Sequence, residues 1–347
     1  NRCMFRYFVT HDTLGALEGW KVSLYEEYYV NGDGGEKDYR LITALTTKPS
    51  AAKERSPEIG LLAGSYRLVV TSGDVYTAER YQIDATYRDT SGYETECNDN
   101  IYRYTEVYSS VPIKGSASLF PDRQDEDYYM FRMYEDGFVE LKFAHPVVKD
   151  KITVCWQVIF FSEDGTELYS VNSLFSEDVN HSGAIGLSEG NYFVLVRNRV
   201  YTDVTYTLSI SRTDDRSYEK EKNDTPATAN VISLNSPVVG SVSNKTTDID
   251  KDWFSFTIEK TGCVMIEFAH QPIVDDSGKE GWNYVLTDSD GAVLFTGISL
   301  WSSDVVSSPE IGLGAGTYYV RVDSEDRYHN SSEYYLLVTF SECDDWE

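Results

Sequence analysis

Apolar and polar residues alternate along much of the chain. In "TYYVRV", Tyr318, Val320 and Val322 fall on one side of an extended strand, and Tyr319 and Arg321 on the other. Tyr192, Val194 and Val196 repeat that face, as do Tyr66, Leu68 and Val70. The segments "YQIDATY", "YTLSIS" and "YYLLVTF" alternate likewise, and no segment carries a long apolar stripe of helical period. "SEDG" at 162–165 and "DSDG" at 288–291 place Asp-Gly between strand patterns, where a hairpin turns. Gly64, Gly190 and Gly316 stand just before strand patterns, predicting turns with some positive φ. Short strands with frequent turns predict an all-β fold built of β-sandwiches.

The pattern repeats. "SPEIGLLAGSYRLVV" at 56–70 returns as "SGAIGLSEGNYFVLV" at 182–196 and "SPEIGLGAGTYYVRV" at 308–322. Trp20, Trp156 and Trp282 open three equivalent strands, preceded by "FVTHD", "FAHP" and "FAHQP". The repeated unit has about 125 residues. With Cys3 aligned to Cys263, the first copy enters partway through, so its sandwich is expected to be incomplete. The expected divisions are a partial first unit at 1–92, full units at 93–216 and 217–342, and a tail at 343–347. "ECDDWE" at 342–347 resembles "ECNDNI" at 96–101, which reads as the start of a fourth unit in a longer array. Ile59, Ile185 and Ile311 are expected to be buried in their units.

Net charge changes the picture next. At −27, with no basic stripe, the chain is unsuited to nucleic acid and to anionic membrane surfaces. No apolar run is long enough to insert into a membrane. The acidity suits a secreted protein or one that gathers cations. The cysteines Cys3, Cys97, Cys155, Cys263 and Cys343 form no CxxC pair. Buried free thiols are expected, with Cys343 a candidate for pairing between chains.

One acidic string occurs twice. "YETECNDN" at 93–100 returns as "YEKEKNDT" at 218–225. With the aspartates of "DEDYYMF" and "DIDKDWFSF", the Trp strand and "GLxAGxYxxxV", it resembles bacterial pre-peptidase C-terminal domains, the family that includes clostridial collagenase collagen-binding domains. The resemblance covers the second and third units fully and the first from its middle onward. It implies jelly-roll-like sandwiches, secretion, no catalysis, and calcium bound through the acidic segment. Two carboxylates at alternate positions share one face of an extended segment, and calcium takes six to eight hard oxygen ligands. The resemblance therefore carries calcium ligation to Glu94, Glu96, Asn98 and Asp99, and to Glu219, Glu221, Asn223 and Asp224. Asp125 and Asp127, and Asp250 and Asp252, supply further oxygens, with Asp122 and Asp248 as alternatives. An acidic, solvated linker is the plainer reading of the same string.

Other motifs carry less. His11, His145 and His270 recur without a nucleophile at fixed distance and read as structural; His181 and His329 fall in loops. Gly-Leu-Ser-Glu-Gly at 186–190 matches a nucleophile-elbow string, but a strand follows it where that motif needs a helix. Trp20, Trp156 and Trp282 read as core. Tyr28, Tyr29, Tyr128, Tyr319 and Trp301 either form a binding platform or fill the second face of a strand. The expectation is an extracellular, non-catalytic protein that attaches to a protein or polysaccharide polymer. The alternative is a spacer, stalk or filament subunit contacting its own copies.

Overall fold

The structure is a computed structural model that describes residues 2–14, 19–30, 35–50, 53–72, 79–148, 152–243, 250–272, 280–324 and 332–342. The first unit contains β1 (Arg2–His11), β2 (Lys21–Tyr29), β3 (Lys37–Thr46), β4 (Lys53–Arg55), β5 (Ile59–Leu62), β6 (Ser65–Thr71) and β7 (Tyr81–Asp89). The second contains β8 (Thr105–Glu106), β9 (Ile113–Ser116), β10 (Glu126–Met133), β11 (Gly137–Ala144), β12 (Val154–Ser162), β13 (Glu167–Leu174), β14 (Val179–Leu187), β15 (Gly190–Asn198) and β16 (Thr205–Asp214). The third contains β17 (Asn230–Val231), β18 (Val238–Ser241), β19 (Lys251–Ile258), β20 (Gly262–His270), β21 (Glu280–Asp288), β22 (Val293–Leu300), β23 (Val305–Ser307), β24 (Ile311–Leu313), β25 (Gly316–Asp323) and β26 (Glu333–Ser341).

Each unit packs two sheets over one apolar core, giving tandem jelly-roll-like β-sandwiches. In the second unit the sheets run β13-β12-β15-β10-β8 and β14-β11-β16-β9. The third repeats them as β17-β19-β25-β21-β22 and β18-β26-β20-β23, with β24 also on β20. Period-two alternation decides what enters the core. On β10 the buried positions are Asp127, Tyr129, Phe131 and Met133, and on β19 they are Asp252, Phe254, Phe256 and Ile258. Trp20, Trp156 and Trp282 are buried. Trp156 and Trp282 pack on the rings of His145 and His270 at 4.5 and 4.1 Å. Those histidines contact Ser173 and Ser299 through Nε2 at 2.9 and 2.8 Å, a structural arrangement sealed from solvent.

Strand register aligns the units and adjusts several sequence expectations. Leu61, Leu187 and Leu313 lie opposite Cys3, Gly137 and Gly262. Cys263 is therefore one position beyond Cys3, not its equivalent. Ser341 lies opposite Cys263, which puts Glu342 where Asp89 and Asp214 stand. "ECDDWE" is thus out of register with "ECNDNI"; residues 343–347 lie outside the described residues. Cys3, Cys97 and Cys155 are free, whereas Cys263 is disulfide-bonded, so a set made only of free thiols is not what forms. Ile59 and Ile185 are fully buried, but Ile311 is only half-buried. His181 belongs to β14 rather than to a loop, and His329 lies outside the described residues.

The glycine expectation is met at other positions. Gly165 and Gly291 turn the two Asp-Gly hairpins at φ 85° and 83°. Gly64, Gly190 and Gly316 do not adopt positive φ, because the chain is already extending into β6, β15 and β25 there. Their loops are pinned instead by Tyr66, Tyr192 and Tyr318, which donate to the carbonyls of Leu62, Ser188 and Gly314 at 2.9, 2.9 and 3.0 Å.

The first unit has the smallest sheets. β3-β2-β6 faces β4-β1-β5, with β7 also on β1. Among the described residues nothing pairs the outer edge of β7, where β9 and β18 cover β16 and β26, or of β6, where β10 and β19 cover β15 and β25. Tyr81 shows the consequence: its equivalents Tyr206 and Tyr334 are fully buried, and it is 44% exposed.

Candidate metal centres at the unit junctions

The acidic strings do not dangle between units. Tyr93 and Tyr218 pair in parallel with Lys114 and Val239. The Glu94 and Glu219 amides donate to the carbonyls of Lys114 and Val239, both at 2.8 Å. Alternation then sends Glu94, Glu96 and Asn98 inward, and likewise Glu219, Glu221 and Asn223. Asp127 and Asp252 meet them from β10 and β19. Asp125 and Asp250 arrive from the entries to those strands. All ten side chains belong to buried residues, the most open being Glu221 at 9%.

Ligand oxygens of Glu94, Glu96 and Asp127 lie within 4.8 Å of one another, as do those of Glu219, Glu221 and Asp252. Glu221, Asp224 and Asp250 form a further overlapping set. Asp99 and Asp224 are half-buried, and they diverge. Asp99 pairs with Arg123 at 3.2 Å, and that guanidinium lies 3.8 Å from the centre of the Phe120 ring. The position 125 residues on from Arg123 is Asp248, outside the described residues. Asp122 is exposed and is not among the gathered carboxylates.

Groups that the acidic-string motif does not include hold the carboxylates in place. Ser116 and Ser241 amides donate to Glu94 and Glu219 Oε1 at 2.7 and 2.6 Å. Ser118 and Ser243 amides donate to Asp125 and Asp250. Tyr206 and Tyr334 hydroxyls donate to Asp127 and Asp252, both at 2.6 Å. The Tyr129 hydroxyl binds Glu94, whereas Phe254 stands at that place in the third unit. The signals were present in the sequence as Gly-Ser-x-Ser at 115–118 and 240–243, and as the tyrosine opening each closing strand.

Satisfaction is incomplete in a directed way. Asn98 and Asn223 spend their Nδ2 on Glu94 and Glu219 at 3.4 and 3.0 Å. Their Oδ1 atoms, buried, have no hydrogen-bond partner among the described residues, and neither do Glu96 Oε2, Asp125 Oδ1, Asp127 Oδ1 and Asp252 Oδ1. Orphaned buried oxygens are costly unless something binds them. Burial pushes Glu94 up to about 7 and Glu219 up to about 8. Burial, reinforced by neighbouring carboxylates, holds Glu96, Asp127 and Asp252 well above the carboxylate range. A cation would relieve both the repulsion and the orphaned lone pairs. The donors are all oxygen, which suits calcium and gives zinc little advantage.

Each cluster also touches the preceding unit. Glu96 and Glu221 amides donate to Gly60 and Gly186 carbonyls at 2.9 and 3.0 Å. Ser116 and Ser241 hydroxyls donate to the Glu58 and Ala184 carbonyls. Cys97 packs into the first unit's core.

No family model matches the chain. It is 24% identical over 239 residues to "Collagenase ColT" of Clostridium tetani, covering 66% of this chain. The chain spans about a fifth of that relative's length, 22%. Among solved structures, the pre-peptidase C-terminal domain of a Bacillus anthracis collagenase is 21% identical, with TM-score 0.26, covering 34% of this chain and all of that one. Tandem CBM51 modules of a family 98 glycoside hydrolase from Streptococcus pneumoniae are 10% identical, with TM-score 0.25, covering 68% of this chain and 85% of that one. The chain is thus similar to part of a clostridial collagenase, in keeping with the resemblance its motifs carry.

Proposed function

We propose that this chain is a set of non-catalytic, calcium-binding β-sandwich modules of an exported bacterial protein, which attach it to an extracellular protein or polysaccharide. The observation that carries the calcium reading is the pair of matching clusters, in which carboxylate oxygens gather within 4.8 Å while buried oxygens of Glu96, Asn98 and Asp127, and of Asn223 and Asp252, find no hydrogen-bond partner among the described residues. Glu94, Glu96, Asn98, Asp125 and Asp127 would hold one ion, and Glu219, Glu221, Asn223, Asp250 and Asp252 another, with Asp99 and Asp224 at the margin. Calcium would supply charge neutralisation there and no reaction chemistry. Similarity to part of a collagenase supports an accessory role outside catalysis. Among the described residues no helix is long and apolar enough to cross a membrane.

Attachment is supported by cation-bearing tyrosines on the first unit. Arg67 lies 4.2 Å from the Tyr39 ring centre and Lys37 5.6 Å from that of Tyr29, both on one side of the β2–β3 pair, whereas Tyr28, with Arg40 at 4.5 Å, falls on the other. Tyr128 and Tyr319 instead rest against Phe161 and Trp253, and Trp301 packs on the third core. The rival reading, a spacer or filament subunit, needs no such platform. Isothermal calorimetry with calcium, magnesium and zinc tests the metal: two calcium sites are expected, and no heat at millimolar calcium overturns the reading. Collagen and glycan arrays probed with the chain and with Tyr29→Ala/Tyr39→Ala separate attachment from spacing; equal signals from both proteins favour the spacer.

A further inference from the structure

Both junctions are built on one device, and the third unit carries the receiving half of it. Gly60 and Gly186 each press against the next unit's acidic strand. A Cβ there would stand 1.9 Å from the Glu94 carbonyl oxygen and 2.0 Å from that of Glu219. Only glycine lets the strands approach so closely. The loops bearing these glycines are fixed alike. Ser56, Ser182 and Ser308 hydroxyls accept from the Tyr7, Leu141 and Ile266 amides at 3.1, 2.9 and 2.9 Å. Residues 308–313 read Ser-Pro-Glu-Ile-Gly-Leu, identical to 56–61. Yet no described residue lies within 4 Å of a Cβ at Gly312. Gly60 and Gly186 are buried and Gly312 is exposed, which also accounts for the half-buried Ile311.

We propose that the β24 edge at Gly312 is a docking slot for the acidic strand of a further unit of this kind, following in tandem. The two occupied junctions define the fit. Gly312 O takes the amide of the second glutamate, as Gly60 O and Gly186 O do. The Glu310 carbonyl takes the hydroxyl of the first serine in Gly-Ser-x-Ser, as those of Glu58 and Ala184 do. The Glu310 carboxylate accepts from the polar hydrogen of the aromatic residue before the first glutamate, the indole N–H where that residue is Trp346, as Glu58 accepts from the Tyr93 hydroxyl. None of these contacts uses an oxygen assigned to calcium, so the slot does not rest on the calcium reading.

By register count, Trp346 and Glu347 correspond to Tyr218 and Glu219, so a unit can be appended in frame. The test is the full chain extended after Glu347 by a second copy of residues 220–342. Hydrogen exchange is followed in the peptide crossing the join, from Trp346 through the copied Glu221. Its sequence occurs nowhere else in the extended chain. Exchange should be roughly tenfold slower than in the same extended chain carrying Gly312→Val, and Glu310→Ala should give an intermediate rate. In the unextended chain Gly312→Val should leave unfolding unchanged, which separates loss of docking from misfolding. Equal exchange with and without Gly312→Val overturns the proposal, whether the join is fast or slow in both.

Discussion

At the scale of the residue, the decisive placement is a carboxylate on the inward face of a core strand. Asp127 and Asp252 occupy the same side of β10 and β19 as the phenylalanines that fill the sandwich. Without a cation, ionising either one is opposed by burial and by the neighbouring carboxylates. Asp127→Asn and Asp252→Asn should therefore increase stability in chelator, by on the order of 1 kcal/mol each, seen as a higher unfolding temperature. They should also abolish the rise on adding millimolar calcium. A calcium response that survives both changes would remove these aspartates from the site. pH acts through the same groups. Glu94 and Glu219 are raised from an ordinary 4.5 to about 7 and 8. The folded chain thus binds these protons more tightly than the unfolded one. That stabilisation is fully present below about pH 4.5 and is lost as pH rises through 7 and 8. In chelator the unfolding temperature of the second and third units should fall between pH 5 and 8, and calcium should suppress that fall. Scanning calorimetry across that range reads it directly.

At the scale of the element, a short strand does two jobs. The segment from Tyr93 to Asn98 aligns with β9 of its own unit and seals against β5 of the preceding one. The segment from Tyr218 to Asn223 does the same between β18 and β14. A side chain at Gly60 or Gly186 must push a backbone carbonyl aside, which flexible neighbours cannot absorb. Gly60→Val and Gly186→Val should each cost roughly 1–3 kcal/mol. They should also weaken calcium binding, because the displaced segment carries the ligands. Calorimetry on the two variants would show a loss confined to the adjoining junction; an unchanged calcium affinity would mean that junction and metal site are independent.

At the scale of the whole molecule, the units are unequal. Among the described residues the first leaves the outer edges of β6 and β7 unpaired, and its Tyr81 is 44% exposed where its counterparts are sealed. Its buried apolar cluster among the described residues is the smallest of the three, so this unit should open first. Amide exchange at Val22 and Leu24 in β2 should exceed that at Val158 and Phe160 in β12. Open edges also invite pairing with another strand. Light scattering should detect association at high concentration, reduced by Tyr87→Glu on β7, where Tyr87 is 76% exposed. A strict monomer at high concentration would show that this edge is protected in another way.

The sequence by itself determined the strand content, the threefold repetition, the buried tryptophans and the identity of the acidic residues that gather. These are local properties: alternation, turn chemistry and repeated strings act over a few residues, and all survive reading in one dimension. Only the tertiary structure decided the rest. Asp99 turned to Arg123 while Asp127 faced the cluster, because strand register, not spacing along the chain, sets which oxygens meet. The same register moved Cys263 off the position of Cys3 and Glu342 off the acidic string. The tyrosine hydroxyls and serine amides that hold the carboxylates come from strands up to 115 residues away along the chain. That the acidic strand belongs to two units at once was legible in neither copy alone. It depends on the close approach at a glycine of the preceding unit, which becomes visible only when the two sandwiches are packed together.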